Sequence, residues 1–289
     1  MNTYKYQPIN GLLSIDKKEI EGANVLSVLS YVEEKVNSAP AGRAKNLALF
    51  LIVINILNKA GLSFYVKGGI VMQYYLGDHS RPTNDIDVVI KEDPDTFYEK
   101  VKNVLDNYQG ELSFKITGHH KNPASEKYLY DSFNIIFHAY YNEQDLGLIL
   151  LEGVYGDVFD KIKPVTYQGP NFIEEGFTFK GVQIEYVFAE KILAVTSELP
   201  RPYKHLVDAY SISKIEVDLN ELKRYLVLIL EIENIARERF DMNVFIYKYI
   251  IRPNKVFTRS YFFTALQAGY SINEEQMIEE LNNYFLQLK

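Results

Sequence analysis

Residues 65–90, YVKGGIVMQYYLGDHSRPTNDIDVVI, decide how the chain is read. They join a glycine pair, Gly68-Gly69, to an acidic alternation, Asp85-Ile86-Asp87, set among β-branched residues. Strand side chains alternate between faces, so Asp85 and Asp87 share one face and Ile86, Val88 and Ile90 the other. Two carboxylates on one half-apolar face repel each other unless something cationic lies between them. Such a pair of hard oxygen donors suits one or two Mg²⁺ ions, which fill their remaining positions with water and substrate phosphates. The glycines fall between a predicted short strand at 63–66 and a predicted helix at 70–76. Glycine lets backbone N–H groups approach a phosphate closely, and a helix N-terminus favours an anion. A phosphate cradle beside a metal-binding carboxylate pair points to chemistry on a nucleoside triphosphate. Alone, an Asp-x-Asp is most often solvated and a Gly-Gly is most often a turn. The order strand, Gly-Gly, helix, Arg-x-Thr-x-Asp-x-Asp is far more specific.

The rest of the chain bounds this reading. Its 289 residues give room for one large domain or two modest ones. A net charge of −7 excludes a globally basic nucleic-acid coat but not a local basic patch. The absence of Cys excludes disulfides and thiolate metal sites. The first residues contain no apolar run of signal length, and the longest apolar stretch, 47–57, contains Asn55 and is too short to span a bilayer. A cytoplasmic protein without membrane contact is expected.

The fold class predicted is α+β. Helices are expected at 25–36, 43–59 and 94–104, the last with Asp93 as N-cap before Pro94, and strands at 84–90, 112–117, 128–140 and 146–151. From Tyr186 onward the periodicity is helical, over 187–196, 203–211, 219–240, 256–268 and 274–286. Two domains follow: a mixed-sheet core with N-terminal helices at 1–165, and a mainly helical domain at 166–289. The Pro- and Gly-bearing stretch 163–181 reads as the connection.

Gly68-Gly69 followed by Arg81-Pro82-Thr83-Asn84-Asp85-Ile86-Asp87 resembles the nucleotidyltransferases of the DNA polymerase β superfamily. Within that superfamily the chain is most similar to the AbiEii-type toxins of type IV toxin–antitoxin and abortive-infection systems, a group that includes the MenA-type tRNA-modifying toxins. The resemblance implies a polymerase β-like nucleotidyltransferase core. It implies that Gly68 and Gly69 hold the triphosphate, that Asp85 and Asp87 bind Mg²⁺ (or Mn²⁺), and that Arg81 and Thr83 form the lead-in to the acidic pair. It also implies a downstream Glu-Lys pair and a Lys-Asp-x-x-Asp segment. VFAEKILAV supplies Glu190-Lys191, and RPYKHLVDAY supplies Lys204 and Asp208. His205 stands where the family has the first Asp of that segment, leaving Asp208 as its only acid.

On their own chemistry, Lys204 and Asp208 lie four residues apart and share one helical face, an arrangement equally compatible with a surface ion pair. Lys191 and Lys204 are candidates to neutralise triphosphate charge, and Asp208 to orient a group or accept a proton. Polymerase β-like enzymes use a third carboxylate from a neighbouring strand. Glu152, at the end of LGLILLE, is the first candidate and Asp131 the second. His119-His120 reads as a solvated loop, because adjacent residues rarely chelate one ion. Residues 242–273 contain no acidic residue but carry Lys248, Arg252, Lys255, Arg259 and eight aromatics, a composition suited to RNA or to an acidic antitoxin as well as to a plain helical bundle.

The expected activity is therefore Mg²⁺-dependent transfer of a nucleoside monophosphate from an NTP to an acceptor hydroxyl, with the tRNA 3′ end as the leading acceptor and a cognate antitoxin as partner. Two rivals remain open: the same chemistry on a small molecule or protein hydroxyl, and a degenerate module that binds nucleotide without turnover.

Overall fold

A computed structural model describes residues 24–36, 43–122, 132–196, 204–232 and 268–288, together with isolated positions between 12 and 22. In chain order, the helices are α1 (Val25–Lys35), α2 (Arg43–Lys59), α3 (Gly68–Leu76), α4 (Pro94–Asp106), α5 (Val158–Lys161), α6 (Ile184–Thr196), α7 (Lys204–Ile212), α8 (Leu219–Ile232) and α9 (Glu274–Leu286). The strands are β1 (Phe64–Val66), β2 (Ile86–Ile90), β3 (Leu112–Asn122), β4 (Ser132–Tyr141), β5 (Gln144–Tyr155), β6 (Val165–Gln168) and β7 (Thr178–Gly181).

One mixed sheet runs in the order β3-β4-β5-β2-β1-β7-β6. β1 pairs antiparallel with β2 and parallel with β7, and β2 pairs parallel with β5. The short β1 and β2 thus lie at the centre of the sheet, which is why both read as apolar runs. β4 and β5 form a hairpin whose two turn residues, Asn142 and Glu143, have φ of 45° and 66°. That left-handed pair matches the twist of the flanking strands.

Local rules account for the helices that flank the sheet. Asp93 accepts a hydrogen bond from the Asp95 amide (2.8 Å) with Pro94 in the first turn, so α4 starts where the sequence predicts. Asn24 and Asn273 cap α1 and α9 in the same way. α2 is apolar almost all round and is buried along most of its length; its Asn55 amide donates to Glu174 (3.2 Å). α3 packs against β2, α6 and α7, and α6 packs against α7 and α8.

Two expectations need correction. The stretch 163–181, read as a connection, contains β6 and β7, and β7 docks on β1. The sheet therefore crosses the boundary expected at residue 165. Its strands are only four residues long and sit among prolines and glycines, so their pairing outweighs local turn chemistry. His119 and His120 lie on β3 rather than in a loop, and His119 stacks on Tyr98 with ring centroids 4.1 Å apart. The four cations expected to mark an RNA surface, Lys248, Arg252, Lys255 and Arg259, lie outside the described residues, as does Asp131.

Candidate active site

The centre of the site is set by two glycines that leave no room for a side chain. Gly68 has φ +62°, and a Cβ placed there would lie 1.9 Å from Asp87 Oδ2. A Cβ on Gly69 would lie 2.4 Å from Thr83 Oγ1. The lead-in to β2 therefore rests directly on the start of α3. The register is fixed by Lys67 N–H donating to Asp87 O (2.8 Å) on one side and Val182 N–H donating to Val66 O (2.9 Å) on the other. No side chain caps α3 at Lys67, which leaves its N-terminus as an anion-favouring end beside the carboxylates.

The acidic residues converge from two strands. Thr83 Oγ1 lies 3.0 Å from Asp85 Oδ1 and 3.1 Å from Asp85 O, which fixes the loop before β2. Asp87 is in register with Glu152 on β5. Burial and repulsion from Asp87 raise the Asp85 carboxyl above its usual range. Burial, then Asp87 and Asp85, push Glu152 up to about 7, with Lys67 and Lys204 opposing. Among the described residues no three His, Asp or Glu side chains form a group set to hold one ion. Asp85 and Asp87 are thus a two-carboxylate pair, with Glu152 one strand away. The cluster is also rich in unfavourable like charge, a condition that a bound divalent cation relieves.

Two buried ion pairs tie this sheet site to the helices that follow it. Arg81 grips Asp208 bidentately, Nε to Oδ1 at 2.9 Å and Nη2 to Oδ2 at 3.1 Å, and Lys191 Nζ lies 3.6 Å from Asp208 Oδ2. Asp208 is only 1% exposed. Burial works against the Arg81 charge, but Asp208 outweighs it and the guanidinium pKa is raised. Lys204, one helical turn earlier on α7, contributes favourable charge at Asp85 and Glu152. Among the described residues Lys204 makes no ion pair with Asp208, so the surface i,i+4 pair is not what forms.

The second tie escaped the sequence reading. Lys67 is buried, and its Nζ lies 2.7 Å from Glu190 Oε1. Burial disfavours its charge, but Glu190 and then Asp87 push its pKa up to about 12. The signal was a lone cation inside the apolar run YVKGG: such a residue is almost never buried without a partner. The structure thus brings together Gly68, Gly69, Thr83, Asp85, Asp87, Glu152 and Lys204. It places Arg81, Lys191 and Asp208 in an adjoining bracket.

The profile of the family described as "Nucleotidyl transferase AbiEii toxin, Type IV TA system" matches residues 54–282. The chain belongs to this family. The AbiEii match begins within α2 and takes in the glycine pair, the acidic pair, the Glu-Lys pair and the Lys-x-x-x-Asp segment. Membership makes the chain a nucleotidyltransferase toxin of a type IV toxin–antitoxin system, with an antitoxin as partner. No match is found among curated proteins. No described helix is long and apolar enough to cross a membrane.

Proposed function

We propose that this AbiEii protein is a Mg²⁺-dependent enzyme that transfers a nucleoside monophosphate from an NTP to the 3′-terminal hydroxyl of tRNA. The observation carrying this reading is the contact between Gly68 and Asp87, which supports a turn that would receive phosphate directly beside a carboxylate that would hold the metal. The donor set fits the ion, since Mg²⁺ binds through one or two carboxylates plus substrate phosphates. Asp85 and Asp87 would hold it, with Glu152 on the neighbouring strand sharing its field. Bound there, the ion supplies charge stabilisation to the reacting phosphoryl group.

The chain's own groups do the rest. The open amides at the start of α3 receive the triphosphate, and only glycine allows the close approach. Lys204 faces the carboxylates and neutralises phosphate charge. Lys67, held charged by Glu190, keeps a cation behind Asp87 and Glu152. Asp208 acts as an orienter: both its oxygens are engaged, so it fixes Arg81 and Lys191 rather than taking a proton. In the reaction the acceptor oxygen bonds the α-phosphorus, the bond to the β-phosphate oxygen breaks, and pyrophosphate leaves. The hydroxyl proton passes to water or to a site carboxylate.

The test incubates the protein with each α-labelled NTP, Mg²⁺ and total tRNA, with Asp87→Ala in parallel. Label on tRNA with wild type alone is the expected result. Label on protein or on a small acceptor instead would move the acceptor. Nucleotide binding without any turnover would refute the enzymatic reading.

A further inference from the structure

The polar surface of the site continues past Glu152. Asp87 on β2 is in register with Glu152 on β5, Glu152 with Asn134 on β4, and Asn134 with His120 on β3. Paired residues of a ladder project from the same face. These four side chains therefore form one polar row across four strands, about 14 Å long at the usual strand spacing. The next row is Leu150, Ile136 and Gly118, and the row after that is Leu148, His138 and Lys115.

The two faces of this part of the sheet differ. On one, Phe133, Ile135, Phe137, Ile149 and Leu151 are core. On the other, Ile136 and Leu150 are partly exposed and Leu148 is 54% exposed. An apolar surface of this kind beside a site calls for an occupant. Three further features indicate what it is. The rings of His138 and Tyr140 lie 6.1 Å apart and nearly parallel, at 26°, presenting adjacent aromatic surface. Asn134 is a half-buried amide in the row nearest the carboxylates, and its Oδ1 has no hydrogen-bond partner among the described residues. Lys115 and His120 are also exposed on this face, and the Asp145 carboxylate meets His138 Nδ1 at 2.9 Å. Gly118 keeps the middle row low, because a Cβ there would press on Ile136 and His120 at 3.3 and 3.2 Å.

We propose that this open face of β3, β4 and β5 is the acceptor platform, on which a single-stranded RNA 3′ end lies with its bases on Leu148, Leu150, Ile136 and the His138–Tyr140 rings and its terminal nucleotide against Asn134. The proposal rests on the RNA-acceptor reading above. Apolar and ring surfaces with a cation such as Lys115 beside them are how sheets hold single-stranded RNA, by stacking and phosphate contact. The row leads straight to the carboxylates, a continuity that an acceptor strand requires and a docked protein does not.

The test uses Leu148→Glu and Lys115→Glu, both at exposed positions. A fluorescent single-stranded RNA oligonucleotide matching a tRNA 3′ end is titrated by anisotropy in EDTA, and the same RNA serves as acceptor in the transfer assay. Both variants are expected to raise the RNA Kd and the acceptor KM roughly tenfold or more, with NTP affinity and Tm unchanged. If wild type binds and labels the RNA and both variants match it, the platform is overturned while the RNA reading stands. If wild type neither binds nor labels any RNA, yet transfers nucleotide to another acceptor, the RNA reading fails and takes the platform with it. If the variants handle RNA normally but lose a co-expressed antitoxin, the face is a protein-docking surface and the proposal is overturned.

Discussion

Replacing Gly68 by Ala tests whether the glycine is there for Asp87. Two costs add. A residue with a Cβ in the left-handed region, here φ +62°, costs about 1–2 kcal/mol. The new methyl would also meet Asp87 Oδ2, Cγ and Cβ at 1.9, 2.6 and 2.9 Å, and overpacking of this kind typically costs about 1–3 kcal/mol. The single mutant should therefore lose about 2–5 kcal/mol in urea unfolding. In an Asp87→Ala background the two nearest atoms are gone. The same substitution should then cost little more than the backbone term, a coupling of about 1–3 kcal/mol in the double-mutant cycle. Activity should fall on the order of a hundredfold, the effect of misplacing a reacting group by about 1 Å. An equal stability cost in both backgrounds, or wild-type transfer by Gly68→Ala, would refute the argument that Gly68 exists to admit Asp87.

Other outcomes follow from the same geometry. Asp87→Ala should abolish transfer with the fold retained, checked by circular dichroism beside the labelled-NTP assay. Asp208→Ala removes one partner of a buried bidentate pair and should destabilise by about 3–5 kcal/mol, read as a drop in the urea midpoint; an exposed pair would cost under about 1. Glu152 is held protonated to about pH 7 when folded but ionises near 4.5 when unfolded, so in metal-free protein its contribution is full below 4.5 and lost as pH rises to 7. That loss is at most about 3 kcal/mol, and Glu152→Gln should flatten the stability profile between those pH values. Lys67→Met should leave Glu190 buried and unpaired, lowering Tm and activity together; a variant as stable and active as wild type would show that the tie is dispensable.

Much of the fold could be read from the chain because local rules and tertiary packing agree there. α2, α4 and α9 begin or end where glycine, proline, Asp93 and Asn273 place them. The glycine and acidic motifs were legible because their chemistry forces unusual residues into apolar strands. β6 and β7 were not, since four-residue strands held by pairing leave little period to detect. Nor was the partnership of Lys67 with Glu190, 123 residues away, or of Arg81 with Asp208, 127 away: the motifs name the residues but not who holds whom. His119 and His120 were misplaced because Gly118 and Asn122 mimic a turn within an eleven-residue strand.

Those two long-range ties also bear on when the toxin becomes active. The sheet residues are synthesised early, but Lys67 and Arg81 stay unpaired until α6 and α7 have been made and docked. A nascent chain released before residue 208 would carry the glycine pair and all three carboxylates, yet lack the bracket that holds them in place. The glycine pair and the carboxylates would therefore become a supported site only at the late step in which α6 and α7 dock against the sheet.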